Sequence, residues 1–172
     1  VPNNFRDSDI LVLGNLDPNI QLDVLNQMNS RPKIIILDTM NYWIERFEKQ
    51  LEELIKKVDI ISINDDEARQ ITNEYSLLKA AKKISNLGPK FIIIKKGEHG
   101  AMLFNEDKIF SIPAIPIEEV YDPTGAGDSF IGAIAGFLSQ IKKLSFNNLK
   151  SEIAYGVAVS SFTVQKFGAE NL

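Results

Sequence analysis

Cysteine is absent from this chain of 172 residues, and histidine occurs only once, as His99. Disulfide bonds and thiolate chemistry are therefore excluded, and so is a metal site built from clustered histidines. A chain without cysteine fits a reducing compartment, so we expect a cytoplasmic location. The lone histidine follows Glu98 in a turn flanked by glycines, and we expect it to be exposed rather than catalytic.

The chain also lacks a long apolar run and a region of concentrated positive charge. The longest apolar run without charge extends from Ser129 to Ile141, short of the roughly 20 residues that cross a bilayer. The formal net charge is −4, and the lysine pairs are scattered along the chain. We therefore expect no membrane and no nucleic acid as partner. No signal peptide is visible, and the missing initiating Met suggests that residues preceded Val1.

Two common nucleotide-binding motifs are absent as well. No G-x-x-x-x-G-K-[ST] run of the Walker A type occurs. The dinucleotide-binding fingerprint also fails, because Gly125 and Gly127 have its first spacing but Phe130 occupies the place of the third glycine. These two classes of nucleotide site are therefore excluded.

The composition and the hydrophobic pattern that are present indicate an α/β protein. Hydrophobic residues make up 44% of the chain, enough for one sizeable core, and we expect a single α/β domain over residues 1–172. Helical patterns between apolar runs predict a mostly parallel sheet with helices on both faces. The runs that predict buried strands are 10–13, 33–37, 59–63 and 91–94, and those that predict an antiparallel hairpin are 101–104 and 108–111.

The helical patterns make more specific predictions. Apolar residues over 43–58 fall on a single helical stripe, and Asn41 is placed to cap that helix. Residues 126–143 and 147–165 predict two further helices, and the small residues of the first suit close packing against a neighbour. Ligands are expected beyond the carboxyl ends of the parallel strands.

The most informative segment is the turn from Asp122 to Phe130, which leads directly into an apolar helix. Backbone N–H groups at a helix start can surround an anion, and Gly125 and Gly127 leave these groups uncovered. Asp128 lies in the first turn, where it can accept a proton from a substrate hydroxyl during phosphoryl transfer. A simple helix start explains the same residues, since Asp and Thr cap helices and Gly makes tight turns.

The segment Asp122-Pro123-Thr124-Gly125-Ala126-Gly127-Asp128 resembles the signature of the ribokinase-like, or PfkB-type, carbohydrate kinases. Three more segments match in the expected order: Asn64-Asp65-Asp66-Glu67, Lys95-Lys96-Gly97-Glu98-His99-Gly100-Ala101 and Gly168-Ala169. The resemblance covers nearly the whole chain. It implies a ribokinase-like three-layer α/β sandwich, with a mostly parallel central sheet and a hairpin, that lacks its N-terminal part and its β-rich lid.

The resemblance implies an ATP-dependent transfer of phosphate to a sugar hydroxyl. In that mechanism Asp128 is the base, and the amides of Gly125, Ala126 and Gly127 neutralise charge on the γ-phosphoryl group. Magnesium bridges phosphate oxygens, and the transfer is in-line without a covalent enzyme intermediate. These four residues are therefore the predicted catalytic set.

Two pairs of residues are implied as ligands of cations. In the resembling kinases the residues that match Asn64 and Glu67 organise magnesium and the nucleotide phosphates, often through water. Asn followed three residues later by Glu is also the pattern of a capping box, and the two roles can coexist. The matches of Asp122 and Thr124 help some relatives bind a monovalent cation, and here Pro123 stands where Thr is common.

The loop after the fourth strand is implied as a nucleotide contact. Lys95, Gly97 and Gly100 match residues of the family that lie against ATP. The alternative is that the two glycines only permit a turn with positive φ.

Three functions stay open at this point. A sugar kinase is preferred, a nucleoside kinase of the adenosine kinase type would use the same anion site and base, and a non-catalytic nucleotide-binding module would keep only the fold. We expect the 172 residues alone to have little phosphotransfer activity, because much of the family's sugar pocket is in the N-terminal part. A homodimer is the implied assembly, since relatives often dimerise through their lids.

Overall fold

A computed structural model describes residues 1–140, 143–168, 170 and 172. Ile141 and Lys142 of the predicted helix 126–143 lie outside the described residues, as does Ala169 of the Gly168-Ala169 match. The chain divides into two compact units, the first made of residues 1–94 and 104–107 and the second of residues 95–103 and 108–172. The single domain expected from composition stays a prediction.

Strands and helices alternate over most of the described chain. The strands are β1 (Ile10–Leu13), β2 (Ile34–Leu37), β3 (Ile60–Asn64), β4 (Phe91–Lys95), β5 (Ala101–Asn105) and β6 (Lys108–Ile112). The α-helices are α1 (Pro18–Asn26), α2 (Asn41–Arg46), α3 (Glu48–Ile55), α4 (Asp65–Thr72), α5 (Leu77–Leu87), α6 (Ala126–Leu138) and α7 (Phe146–Thr163). The strands lie in the sheet in chain order, from β1 to β6. The predicted α/β class, with a mostly parallel sheet and a hairpin, is confirmed.

The first unit is built around its parallel strands. β1 pairs with β2 and β2 with β3, both in parallel, and α1 packs against α3, which packs against α5. All of β2 and the first four residues of β3 and β4 are buried, as their isoleucine-rich runs require. The buried Gln21 ties the loops after β1 and β2 together, because its Nε2 donates to the carbonyls of Gly14 at 2.6 Å and Asp38 at 3.2 Å.

The single helix predicted over 43–58 is wrong, because the chain breaks at Phe47. This residue has φ −130° and ψ 37°, so it ends α2 and precedes α3, and its ring meets Trp43 edge-on with 5.5 Å between centroids. Asn41 is the first residue of α2 rather than its cap. Trp43 is half-buried, and its Nε1 donates to Asn15 Oδ1 at 2.8 Å. The apolar stripe is continuous through Phe47, so the hydrophobic pattern gave no sign of the break.

In the second unit, α6 packs against α7. The prediction that the small residues of α6 permit close packing is wrong for Gly132 and Gly136, since a Cβ on either would meet nothing described within 4 Å. The glycine that permits the contact is Gly156 on α7, where a Cβ would lie 2.8 Å from the Phe130 ring. Among the described residues, no helix combines the length and apolar character needed to cross a membrane.

Candidate active site

Helix α6 begins at a residue that has no side chain with which to cap it. Gly125 precedes the first helical residue with φ +81° and ψ −3°, and its carbonyl accepts from the Ser129 amide at 2.9 Å. Glycine adopts this left-handed conformation without the steric cost that other residues carry. A Ser or Asp at this place would turn its own oxygen onto the first amides of the helix. Glycine leaves those amides to another acceptor.

The amides at this helix start differ in what they already bind. Within the described residues, the amides of Gly125, Gly127 and Asp128 have no hydrogen-bond partner. The Ala126 amide instead donates to the Pro123 carbonyl at 3.2 Å, which closes the turn. Three donors are therefore left for an anion, and the positive end of the helix dipole adds attraction at the same place.

Asp122 is fixed at the entrance of the turn. Its Oδ1 accepts from the Thr124 amide at 2.9 Å, and its own amide donates to the Val164 carbonyl at 3.2 Å. The hydrogen bonds from the backbone and side chain of Thr124 hold the pKa of Asp122 below its ordinary value, because they stabilise the carboxylate. An ionised oxygen therefore stands here at neutral pH, as a cation ligand requires.

Lys95 reaches the same helix start from the end of β4. A Cβ on Gly127 would lie 3.2 Å from Lys95 Nζ, so the ammonium group closely approaches this glycine. Asp128 follows directly in the first turn of α6, and it is exposed. The structure thus brings together a cation, unpartnered amides and an accessible carboxylate from two separate stretches of the sequence.

The loop after β4 gives its two glycines different tasks. Gly100 has φ +87° and is buried, and a Cβ there would lie 2.0 Å from the Ile112 carbonyl oxygen, so only glycine fits. Gly97, with φ +54°, is exposed with open space around it. His99 is exposed, as expected. The need for Gly100 is structural, and contact of either glycine with a nucleotide stays a prediction.

Asn64 and Glu67, in the first unit, bind each other. The Glu67 amide donates to Asn64 Oδ1 at 2.7 Å, and the Asn64 amide donates to Glu67 Oε2 at 2.7 Å. This is a complete capping box at the start of α4, and the Glu67 side chain is buried in it. The capping interpretation is confirmed, and a role toward magnesium or phosphate stays a prediction.

Three hydroxyl groups beneath the glycine turn were missed from the sequence. Thr163 and Ser160 on α7 and Ser129 on α6 form hydrogen bonds that end on the carbonyls of the turn. The sequence signal for Ser160 and Thr163 is that hydroxyl residues follow the apolar second half of their helix. Spacing along the chain could not pair them, because 34 residues separate Ser129 from Thr163.

The family assignment follows from comparison with known proteins. The sequence model of the pfkB family carbohydrate kinases matches residues 3–172. This chain belongs to the pfkB family. Nearly the whole chain is matched, so the segments described above lie within the family's shared region.

Individual relatives of this pfkB-family chain are named as kinases of sugars and of nucleosides. A cytidine kinase of Thermococcus kodakarensis is 31% identical over 144 residues, which are 81% of this chain and 50% of that protein. A ribokinase of Staphylococcus aureus is 37% identical over 123 residues, covering 69% of this chain and 39% of the relative. The structure of Arabidopsis thaliana ribokinase with ribose and ATP superposes with a TM-score of 0.76 at 27% identity, covering 95% of this chain and 52% of that one. The chain thus spans about half or less of the length of these three relatives.

Proposed function

We propose that this chain is the nucleotide-binding and catalytic portion of an ATP-dependent kinase that phosphorylates a sugar hydroxyl. The observation that carries the proposal is the start of α6, where the amides of Gly127 and Asp128 have no described partner and Lys95 Nζ approaches closely. Membership of the pfkB family supports the reaction class. The ribokinase of Arabidopsis thaliana, solved with ribose and ATP, supports these two substrates by similarity.

The glycine turn is proposed to bind the phosphoryl group that is transferred. Amides of Gly125, Gly127 and Asp128 donate to its oxygens, and the positive end of α6 adds attraction. The Ala126 amide, predicted as one of three donors with Gly125 and Gly127, instead donates to the Pro123 carbonyl. Lys95 supplies a positive charge beside Gly127, where negative charge develops as the phosphoryl group moves.

Asp128 is proposed as the base that takes the proton from the attacking hydroxyl. Its carboxylate is exposed, so an acceptor alcohol can reach it, and it adjoins the amides in sequence. The oxygen of the alcohol then bonds to the γ-phosphorus while the bond to the β–γ bridging oxygen breaks, and ADP leaves. The proton ends on Asp128, so charge balances without a covalent enzyme intermediate.

The carboxylates of the chain suit a hydrated metal ion carried by the nucleotide. Magnesium keeps several waters and binds through one or two carboxylates plus substrate phosphates. Within the part of the chain that the structure describes, no three His, Cys, Asp or Glu side chains are grouped to hold a metal, which agrees with that mode. We assign Glu67 to magnesium and Asn64 to the nucleotide phosphates, and Asp122 with Thr124 to a monovalent cation. Magnesium, when bound, would offset the charge of the phosphate oxygens.

A nucleoside kinase is the second candidate, since the cytidine kinase of Thermococcus kodakarensis is 31% identical. The start of α6 would serve a sugar and a nucleoside equally. In both cases the amides bind the transferred phosphate and Asp128 removes the proton from the attacking hydroxyl. The acceptor is decided by groups that bind the rest of the substrate. The two candidates therefore predict the same catalytic residues and different acceptors.

The test is ATP turnover by the complete gene product against hexoses, pentoses, keto-deoxy acids and nucleosides. The proposal expects saturable ADP formation with at least one sugar and phosphate on a sugar hydroxyl. Turnover only with nucleosides would replace it by the second candidate. ATP binding without transfer to any acceptor would favour a non-catalytic module and contradict both kinases.

The polypeptide of 172 residues tests a further part of the proposal. Because it spans about half of the Arabidopsis ribokinase, we expect ATP binding but little transfer by these residues alone. Rapid, saturable sugar phosphorylation by this polypeptide would contradict that expectation. A cytoplasmic location and a homodimer also stay proposals.

A further inference from the structure

The hydroxyl cluster, defined as Ser129, Ser160 and Thr163, connects α7 to the turn that precedes α6. Thr163 Oγ1 donates to Ser129 Oγ at 2.8 Å, and Ser129 Oγ donates to the carbonyls of Gly125 at 3.0 Å and Ala126 at 3.1 Å. Ser160 Oγ also reaches the Ala126 carbonyl, at 2.9 Å. All of these contacts lie within the second unit.

Each hydroxyl has a single hydrogen, and two of them also lie near a carbonyl of their own helix: Ser160 Oγ is 2.9 Å from the Gly156 carbonyl, and Thr163 Oγ1 is 3.2 Å from the Val159 carbonyl. One arrangement directs every hydrogen toward the turn instead. Thr163 then donates to Ser129, Ser129 donates to the turn carbonyls, and Ser160 donates to the Ala126 carbonyl. The Thr163 side chain is well placed for this, because only 2% of the residue is exposed and water cannot compete for its hydrogen. The cluster is thus a partly buried path from α7 to two successive peptide groups.

One of those two peptide groups carries an amide of the proposed phosphate site, that of Gly127. A peptide unit is planar, so the Ala126 carbonyl and the Gly127 N–H belong to one rigid group. Hydrogen bonds from Ser129 and Ser160 to that carbonyl therefore set the direction in which the Gly127 N–H points. They also polarise the peptide, which makes the amide a stronger donor.

The sequence of the turn explains why such support is needed. Glycine at 125 and 127 keeps the amides uncovered, but glycine also gives the backbone its greatest conformational freedom. Donors that stabilise developing charge are effective when they are already oriented before the reaction. Hydrogen bonds from the hydroxyl cluster restrict the backbone conformation of the turn, which its glycines leave free.

We propose that Ser129, Ser160 and Thr163 are positioning residues that orient the Gly127 amide toward the transferred phosphoryl group. The proposal rests on the proposed function, and it adds three residues to the machinery of the α6 start. None of the three is expected to touch substrate through its side chain. Their contribution is made through the backbone of Ala126 and Gly127.

The test compares Ser160→Ala and Thr163→Val with Ser161→Ala in the complete gene product. Ser161 is a matched control, because it is buried on the same helix but donates to Ala158 of its own helix at 2.6 Å. We expect Ser160→Ala and Thr163→Val each to lower kcat about fivefold, the change in rate that corresponds to roughly 1 kcal/mol for one oriented hydrogen bond. KM for the acceptor should stay near its original value, and Thr163→Ser should restore kcat. Ser161→Ala should leave kcat unchanged.

A second measurement separates failure of this proposal from failure of the proposed function. In ¹⁵N-labelled protein without acceptor, Ser160→Ala should move the Gly127 amide resonance and weaken binding of ATP with magnesium, whereas Ser161→Ala should do neither. These readouts need no turnover, so they decide the positioning role even if no acceptor is phosphorylated. Equal effects of the two serine changes, or a loss of thermal stability with kcat and the Gly127 resonance unchanged, would overturn the proposal.

Discussion

Helices α4 and α6 differ in whether a side chain accepts from the backbone amides of the first turn. At α4, Asn64 and Glu67 exchange hydrogen bonds of 2.7 Å, so the helix satisfies part of its own terminus. At α6, Gly125 has no side chain to offer, and the amides of Gly127 and Asp128 have no partner within the described residues. Both starts carry acidic residues in their first turn.

The difference shows which feature of a helix start indicates a ligand. Unsatisfied first-turn amides cost stability unless something accepts from them, and a capping side chain is the ordinary answer. Helices α2, α3 and α5 also lack a side-chain cap, so we base the proposal for α6 on its glycine turn together with the approach of Lys95. Acidic residues alone do not distinguish the two cases, since α4 has three of them and caps itself.

The largest expected effect separates Asp128 from an exposed acid in the first turn of α4. Asp128→Asn in the complete gene product should lower kcat by about 10² to 10⁴, the range that a positioned general base contributes. Asp66→Asn is the control, because Asp66 is an exposed first-turn residue without a proposed role. Steady-state kinetics with ATP and the preferred acceptor measure both. Near-normal turnover of Asp128→Asn would eliminate its role as base.

A smaller effect is expected from closing the space between Gly127 and Lys95. In Gly127→Ala the new Cβ would lie 3.2 Å from Lys95 Nζ, so the ammonium group must shift away from the phosphate site. We expect ATP affinity to fall about tenfold, or roughly 1.4 kcal/mol, by calorimetric titration. Stability should not fall, because alanine favours helix.

Gly132→Ala is the matched control on the same helix. Nothing described lies within 4 Å of its Cβ, so stability should rise by up to about 1 kcal/mol and ATP affinity should stay the same. Equal ATP affinity in the two alanine variants would show that the approach of Lys95 to Gly127 has no part in binding.

The capping box at α4 gives an effect on folding. Asn64→Ala removes the acceptor of the Glu67 amide and should lower the free energy of unfolding by about 1 kcal/mol, as measured by urea denaturation. Asn64→Asp should restore it, since aspartate caps equally well. A loss of ATP affinity in Asn64→Ala but not in Asn64→Asp would support the proposed ligand role. An unchanged unfolding free energy in Asn64→Ala would refute the capping account.

The smallest effect contrasts two buried carboxylates. Glu67 accepts from the Asn64 amide, whereas Glu152 on α7 is buried with no described hydrogen-bond partner at Oε2. Burial raises the pKa of Glu152 above its ordinary value, because it disfavours the charged form. The folded state therefore prefers the protonated acid. The stability that protonation gives is present below the ordinary glutamate pKa, and it is lost as pH rises through the raised pKa of Glu152 in the folded protein.

Glu152→Gln should for this reason stabilise the protein modestly at neutral pH. The gain should shrink as pH falls through the raised pKa of Glu152 and should be gone below the ordinary glutamate pKa of about 4.3, where the carboxyl is neutral in both the folded and the unfolded protein. Thermal melts across that pH range measure it. A gain that is independent of pH would show that ionisation of Glu152 is not its cause.

The elements that the sequence predicted well are those with strong local signals. Strands β2, β3 and β4 lie within one residue of their predicted ends, because short isoleucine-rich runs between polar residues are typical of strands buried on both faces. The break between α2 and α3 at Phe47 was not predicted, since the apolar stripe continues through it unchanged. The turn before Asp128 was predicted from its glycines and from its resemblance to the pfkB-family signature.

The contacts that complete the site could not be predicted, because they depend on folding in three dimensions. The approach of Lys95 to Gly127 joins residues from a strand and from a helix that is far along the chain. The hydrogen bond from Thr163 to Ser129 spans 34 residues. Whether an amide is already engaged, as that of Ala126 is, also depends on turn geometry that residue types leave open.

The most direct test of the central claim is an NMR titration of the ¹⁵N-labelled chain with ATP and magnesium. Asn148 provides an internal control, since its amide lies in the first turn of α7 but already donates to Ser145 Oγ at 3.2 Å. We predict saturable shifts of the Gly125, Gly127 and Asp128 amide resonances, with the Asn148 resonance unmoved. Unmoved glycine amides at saturating ATP, or equal shifts at both helix starts, would contradict it.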